Sequence, residues 1–147
     1  MSRVQLALNV SNIDEAVAFY SKLFATEPAK RRPGYANFAI AEPPLKLVLI
    51  AGAGTPGSLN HLGVEVMSAT EVTDAITRLR DEGLVERVEE ETTCCFAVQD
   101  KVWTADPDGA PWEVYTVLAD ADVMLPPDST CCAPAGQPEM CCGPTAS

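Results

Sequence analysis

Basic residues are scarce in this 147-residue chain: 10 Lys and Arg stand against 21 Asp and Glu, a formal net charge of −11 at pH 7. That deficit excludes nucleic acid and anionic membrane as partners, because both require a basic face. Long apolar runs are missing as well. No stretch approaches the roughly 18 residues of a membrane-spanning helix. Met1-Ser2-Arg3 leads straight into an alternating segment at 4–10, with neither a basic n-region nor an apolar h-region. A cytoplasmic protein in a reducing compartment is therefore expected. Histidine is nearly absent, His61 being the only one. Isolated cysteine is absent too, since all six fall in adjacent pairs: Cys94-Cys95, Cys131-Cys132 and Cys141-Cys142.

The pairing of the cysteines narrows their use. Neighbouring Cα atoms lie about 3.8 Å apart, short of the roughly 4.4 Å at which disulfides begin, so the doublets make poor structural bridges. Bridges between doublets are disfavoured in a reducing compartment. Zinc fingers want two or more residues between paired ligands. Adjacent thiols do suit a soft, thiophilic centre gripped by two sulfurs at once.

What is plentiful is ordinary core material. A hydrophobic fraction of 47% with 21% charged residues is that of a soluble globular protein, and the length suits one domain or two small modules sharing a core. The chain also repeats itself. Gln5-Leu6-Ala7-Leu8-Asn9-Val10 lies over His61-Leu62-Gly63-Val64-Glu65-Val66, an offset of 56 residues, and Ala16, Tyr20 and Leu23 lie over Val72, Ile76 and Leu79. Each copy reads as a strand with period two followed by an amphipathic helix. The first helix presents Ile13, Ala16, Val17, Tyr20, Leu23 and Phe24, with Asn12 or Ser11 as cap and Asp14 and Glu15 in the first turn. The second runs from about 69 to 82 and stops at Gly83. Strand-like stretches follow at 35–41 and 46–50, with a short one near Lys30, and again at 85–90, 98–104 and 112–117. Asp106-Pro107-Asp108-Gly109 marks the tight turn before the last.

The expected architecture is α+β, two βαβββ modules at about 1–51 and 58–118 forming a paired, curved mixed sheet. From about 119 to 147 five prolines, two glycines and four cysteines without periodicity read as a disordered Cys/Pro-rich tail.

Strand parity selects the chemistry. Val4, Leu6, Leu8 and Val10 share one face of the first strand and Gln5 takes the other; Leu62, Val64 and Val66 pack while His61 faces away; Trp112 and Val114 oppose Glu113. A pseudo-two-fold brings the equivalent strands together at the centre, so three metal-competent side chains project to one concave side. Glu65 shares the face of His61 but lies roughly 13 Å further along the strand, too far to count as a ligand.

With its two βαβββ units, its polar strand openings and the Asp-Pro-Asp-Gly turn into Trp112-Glu113, the chain resembles the glyoxalase/bleomycin-resistance/dioxygenase group, the vicinal oxygen chelate superfamily, over about 3–118. The resemblance implies that Gln5, His61 and Glu113 bind a divalent metal facially and leave positions open for substrate or dioxygen. Gln stands where the usual first ligand is His. One nitrogen and two oxygen donors suit Fe(II), or Mn(II), Ni(II) or Co(II) in a purified form, better than a closed zinc site.

A narrower resemblance rests on Thr93-Cys94-Cys95-Phe96, read as part of a polar loop at 89–100 that Lys101 follows. Chelate fold and vicinal thiols together are similar to the organoarsenical carbon–arsenic lyases, which use Fe(II) and dioxygen to demethylate or dearylate trivalent arsenicals. The resemblance implies Cys94 and Cys95 as the arsenic-binding thiols, since an R–As(OH)₂ group has two exchangeable oxygens, with Phe96 shielding the site from water. Lys101 is a candidate for lowering a thiol pKa or steadying developing charge; as a loop residue it would also simply be solvated. Trp103 and Trp112 read as packing residues. Cys131, Cys132, Cys141 and Cys142 read as thiols that collect or buffer a soft metal. Two other readings stand beside the lyase: a cadmium- or arsenite-sequestering protein, and another chelate-fold enzyme of glyoxalase or thiol transferase type. Glu42, outside the third strand, is a poor fourth ligand for a glyoxalase. Both a monomer and a homodimer are compatible with the pattern.

Overall fold

The computed structural model describes residues 1–94, Cys94 by its backbone alone, and 96–121. The first module is β1 (Arg3–Val10), α1 (Ile13–Phe24), β2 (Lys30–Arg32), β3 (Tyr35–Ile40) and β4 (Leu45–Ala51). The second is β5 (Leu59–Glu65), α2 (Ala69–Asp81), β6 (Arg87–Cys94), β7 (Ala97–Ala105) and β8 (Pro111–Asp120). All eight strands form one curled mixed sheet in the order β2-β3-β4-β1-β5-β8-β7-β6. Each half of that order mirrors the other, as the repeat requires. β1 and β5 run antiparallel at the centre, and each lies parallel to the last strand of its own module, β4 or β8. The curl brings the far ends together: Lys30 on β2 reaches the Phe96 carbonyl at 2.9 Å and pairs with Asp120 on β8.

The helices cover the convex face. Asn12 caps α1 by accepting from the Glu15 amide at 3.0 Å. Val17, with Ile13, Ala16, Tyr20 and Phe24, then packs on Phe38, Leu47 and Leu49. Leu23, expected on that stripe, is 58% exposed. It lies one residue, about 100°, round the helix from Phe24, at the edge of the buried stripe. Ser68 caps α2 by accepting from the Glu71 amide at 3.3 Å, and the Glu71 carboxylate accepts from the Met67 amide at 2.8 Å, which seats Ala75 and Leu79 against Val102 of β7.

One expected feature is overturned. Residues 89–100 are not a polar loop but most of the β6–β7 hairpin, with Thr92 opposite Gln99 and Cys94 opposite Ala97. Lys101 accordingly lies within β7 and is only 1% exposed, not solvated. The strands expected at 85–90 and 98–104 are its outer parts; their continuation to the turn escaped notice because β6 carries Glu89, Glu90, Glu91, Thr92 and Thr93 in succession, so no apolar alternation announces a strand. Cys95 and the four tail cysteines lie outside the described residues.

Candidate functional site

On the concave face three side chains from three strands converge within one chain. Gln5 Nε2 lies 3.1 Å from His61 Nε2 and donates to Glu113 Oε1 at 2.8 Å, and the imidazole and carboxylate are 3.3 Å apart. All three side chains are buried. The register explains the approach: Gly63 on the central β5 is opposite Gln5 on one side and Glu113 on the other. A Cβ at position 63 would meet Glu113 Cγ at 3.1 Å and Gln5 Cβ at 3.4 Å, so the absent side chain lets the flanking groups close over the strand. The repeat partner of Gly63 is Ala7, itself fully buried across from His61. A small residue two places after each polar one was the signal available in the sequence. Gly63→Val is expected to cost about 1–3 kcal/mol by overpacking, read from urea unfolding; an unchanged midpoint would mean that the strands part without penalty.

The groups behind the triangle fix its charge state. Lys101 Nζ donates to Glu113 Oε2 at 2.8 Å. Burial alone would raise the Glu113 pKa, but its polar neighbours, the Lys101 ammonium foremost, together outweigh it and bring the carboxyl to about 2. Tyr115, on the same face of β8, donates its hydroxyl to Gln5 Oε1. Burial pushes its phenol well above the ordinary value, so it stays a neutral hydroxyl. Trp103 packs its ring against His61, centroids 5.4 Å apart. Glu65 turns its carboxylate to Arg3 and to Lys46, the latter at 3.3 Å, and so is engaged elsewhere.

The donor set fits a divalent cation. Three donors about 2.1 Å from an octahedral centre stand about 3.0 Å apart along each edge, and the observed triangle has edges of 2.8, 3.1 and 3.3 Å. Rotating the Gln5 amide would turn its oxygen inward and its NH₂ toward the Tyr115 hydroxyl, which accepts as readily as it donates. Among the described residues no three of His, Cys, Asp and Glu cluster to hold a metal, so this site depends on the Gln5 amide.

The triad opens into a cavity of about 170 Å³, also lined by Tyr35, Asn37, Lys46, Ala97 and Gln99. Burial lowers the pKa of Lys46, which Glu65 partly offsets. Phe96 is buried at the hairpin turn, with a left-handed φ of 61°. Its ring packs on that of Tyr35, centroids 5.2 Å apart, and its carbonyl accepts from Lys30 and from the Ala121 amide. Phe96 is thus pinned onto the first module at the end of the cavity. Glu42 sits exposed beyond β3. No helix among the described residues is long and apolar enough to cross a membrane.

The sequence profile of the Glyoxalase/Bleomycin resistance protein/Dioxygenase superfamily matches residues 3–114. A relative from Thermomonospora curvata, the trivalent organoarsenical cleaving enzyme, is 60% identical over 136 residues, covering 91% of this chain and 90% of that protein. The cadmium-induced protein CadI of Mycobacterium tuberculosis is 58% identical over 142 residues, 97% of this chain and 93% of that one. Among solved structures, the Mn(II)-bound glyoxalase from Novosphingobium aromaticivorans superposes with a TM-score of 0.58 at 18% identity, over 82% of this chain and 42% of that one. Paired βαβββ modules, a mirrored sheet order and a match spanning most of the sequence agree: the chain belongs to the glyoxalase/bleomycin resistance protein/dioxygenase superfamily.

Proposed function

We propose that this protein is a cytoplasmic Fe(II)- and dioxygen-dependent carbon–arsenic lyase that releases inorganic arsenite from trivalent organoarsenicals such as methylarsenite. Gln5, His61 and Glu113 would hold the iron, which when bound supplies activation of dioxygen. Cys94 and Cys95 would hold the substrate, two thiols displacing two waters from R–As(OH)₂. The observation that carries the reading is a single cavity. The triad lines it, and so does Ala97, which directly follows Cys94-Cys95-Phe96 in sequence. The 60% identity to a protein named for organoarsenical cleavage adds support.

The remaining residues take definite parts. Lys101 keeps Glu113 ionised, Tyr115 steadies the Gln5 amide, and Phe96 with Tyr35 closes the hairpin end of the cavity against water. A volume of about 170 Å³ admits a methyl group or a single ring, since an apolar cavity of about 150 Å³ takes up benzene. Methylarsenite and one dioxygen balance to arsenite and formaldehyde: the carbon is oxidised by four electrons, dioxygen is reduced, and arsenic stays trivalent.

The test uses anaerobically purified protein loaded with Fe(II) and given methylarsenite with and without air. Oxygen-dependent arsenite release is expected. Cys95→Ser should cut it by about 10²-fold or more through lost orientation of the substrate, while leaving metal binding intact. The cysteine doublets also favour a second reading, sequestration of cadmium or arsenite. Stoichiometric arsenic binding with no arsenite formed under air would establish that reading and remove the lyase.

A further inference from the structure

A hydrogen-bonded chain leads away from His61 to the linker between the two modules. His61 Nδ1 is 2.7 Å from Asn60 Oδ1, Asn60 Nδ2 donates to Asn9 Oδ1 at 2.9 Å, and Asn9 Nδ2 donates to Ser58 Oγ at 2.9 Å. Ser58 Oγ in turn donates to the Thr55 carbonyl at 2.6 Å. Asn9, Asn60 and His61 are each no more than 2% exposed.

The far end sets the direction of every bond. A backbone carbonyl only accepts, so the Ser58 hydroxyl gives its proton to Thr55 and its lone pair to the Asn9 NH₂. The Asn9 oxygen must then take the Asn60 NH₂, which leaves the Asn60 oxygen facing the ring. Nδ1 therefore carries the imidazole proton, and Nε2 presents its lone pair to the Gln5 NH₂. Strict strand alternation would send Asn60 to the opposite face from His61. The β1–β5 register, however, pairs Ala7 with His61 and Leu8 with Leu59, so Asn60 is the extra residue of a bulge and turns inward beside it. The linker holds Asn9 by its main chain as well, through Asn9 N to Ser58 O and Gly57 N to Asn9 O. It also passes so close at Gly54 that a Cβ there would lie 2.7 Å from Asn9 Nδ2.

We infer that Asn60 is a positioning residue which, anchored through Asn9 and Ser58 to the inter-module linker, fixes His61 as the Nδ1–H tautomer and aims Nε2 at the centre of the triad. The consequence for metal affinity rests on the function proposed above; the tautomer does not.

His61 is the only histidine, so the full chain labelled with ¹⁵N-histidine gives one imidazole signal set, read without metal or arsenical at alkaline pH. The unsubstituted chain is expected to show the Nδ1–H form. Asn60→Ala should shift the ring toward Nε2–H and weaken Co(II) binding by about 10–100-fold, as loss of an outer partner does elsewhere. Asn60→Asp keeps an acceptor and should keep the Nδ1–H form. Gly54→Ala touches neither residue directly, yet should move the tautomer in the same direction by displacing Asn9. An Nε2–H ring in the unsubstituted chain overturns the inference, whatever the variants do. So does an Asn60→Ala variant whose tautomer and Co(II) affinity are unchanged. A chain that shows the Nδ1–H form but binds no Co(II) would sink the metal reading and leave the relay standing.

Discussion

Replacing Lys101 with methionine is expected to destabilise the metal-free protein by about 3–5 kcal/mol at neutral pH, the cost of leaving one partner of a buried ion pair behind. Methionine keeps the length and apolar stem of lysine, so the loss is chiefly the charge opposite Glu113, whose side chain is 4% exposed. The pH dependence has a definite sign. Glu113 is held at about 2, below its ordinary 4.5, so its ionisation contributes stability that is fully present above pH 4.5 and is lost as the pH falls toward 2. Without Lys101 nothing comparable opposes burial, and the carboxyl pKa of the variant rises. Its deficit against the parent is therefore widest near neutrality and narrows in acid. Urea unfolding of both proteins at pH 7 and pH 4 measures this. An equal deficit at both would show that the ammonium acts through packing alone. Adding Co(II) should narrow the gap as well, because a cation bound at the triad faces Glu113 in the ammonium's place and stabilises only the folded state.

The same pair shows where sequence reading reached its limit. The 56-residue offset and period-two parity were enough to place Gln5, His61 and Glu113 on one face of strands that meet at the centre. Both signals survive without knowledge of tertiary contacts, because alternation along a strand decides its faces and a repeat decides which strands are equivalent. Lys101 fell inside the stretch 98–104 read as a strand, yet was grouped with the neighbouring loop and so misjudged. Its strand pairs with β6, whose run of acidic and threonine residues hides the period. Asn60 was hidden by a different cause: a bulge suspends alternation where it matters, and nothing in Leu59-Asn60-His61 marks it. Tyr115 was within reach, two residues beyond Glu113 and on its face, but a tyrosine on a strand reads first as packing. Its hydroxyl bond to Gln5 follows from curvature, which brings β8 across β5 toward β1. The repeat could say which strands lie side by side, and only the register could show that Gly63 lets their side chains meet.

His61→Ala should abolish divalent-metal binding at the triad and, with it, arsenite release. The ring supplies the only nitrogen donor, and Gln5 and Glu113 alone leave two oxygens. A lost outer partner costs about 10–100-fold in affinity, so a lost ligand should cost well beyond that range. The truncation also strands Asn60 Oδ1, a buried acceptor, without its donor. Asn60 is bonded on to Asn9 and cannot swing round freely to recover one. What separates this variant from a merely damaged fold is the other half of the site. Phe96, which follows the proposed arsenic-binding pair in sequence, is held by Lys30 and Tyr35 rather than through His61. Arsenic uptake by His61→Ala should therefore match the parent while Co(II) titration shows no saturable site. Cys95→Ser should give the converse, with Co(II) bound and arsenic uptake reduced. A His61→Ala protein that still binds Co(II) tightly and still releases arsenite under air would refute the triad as the metal site.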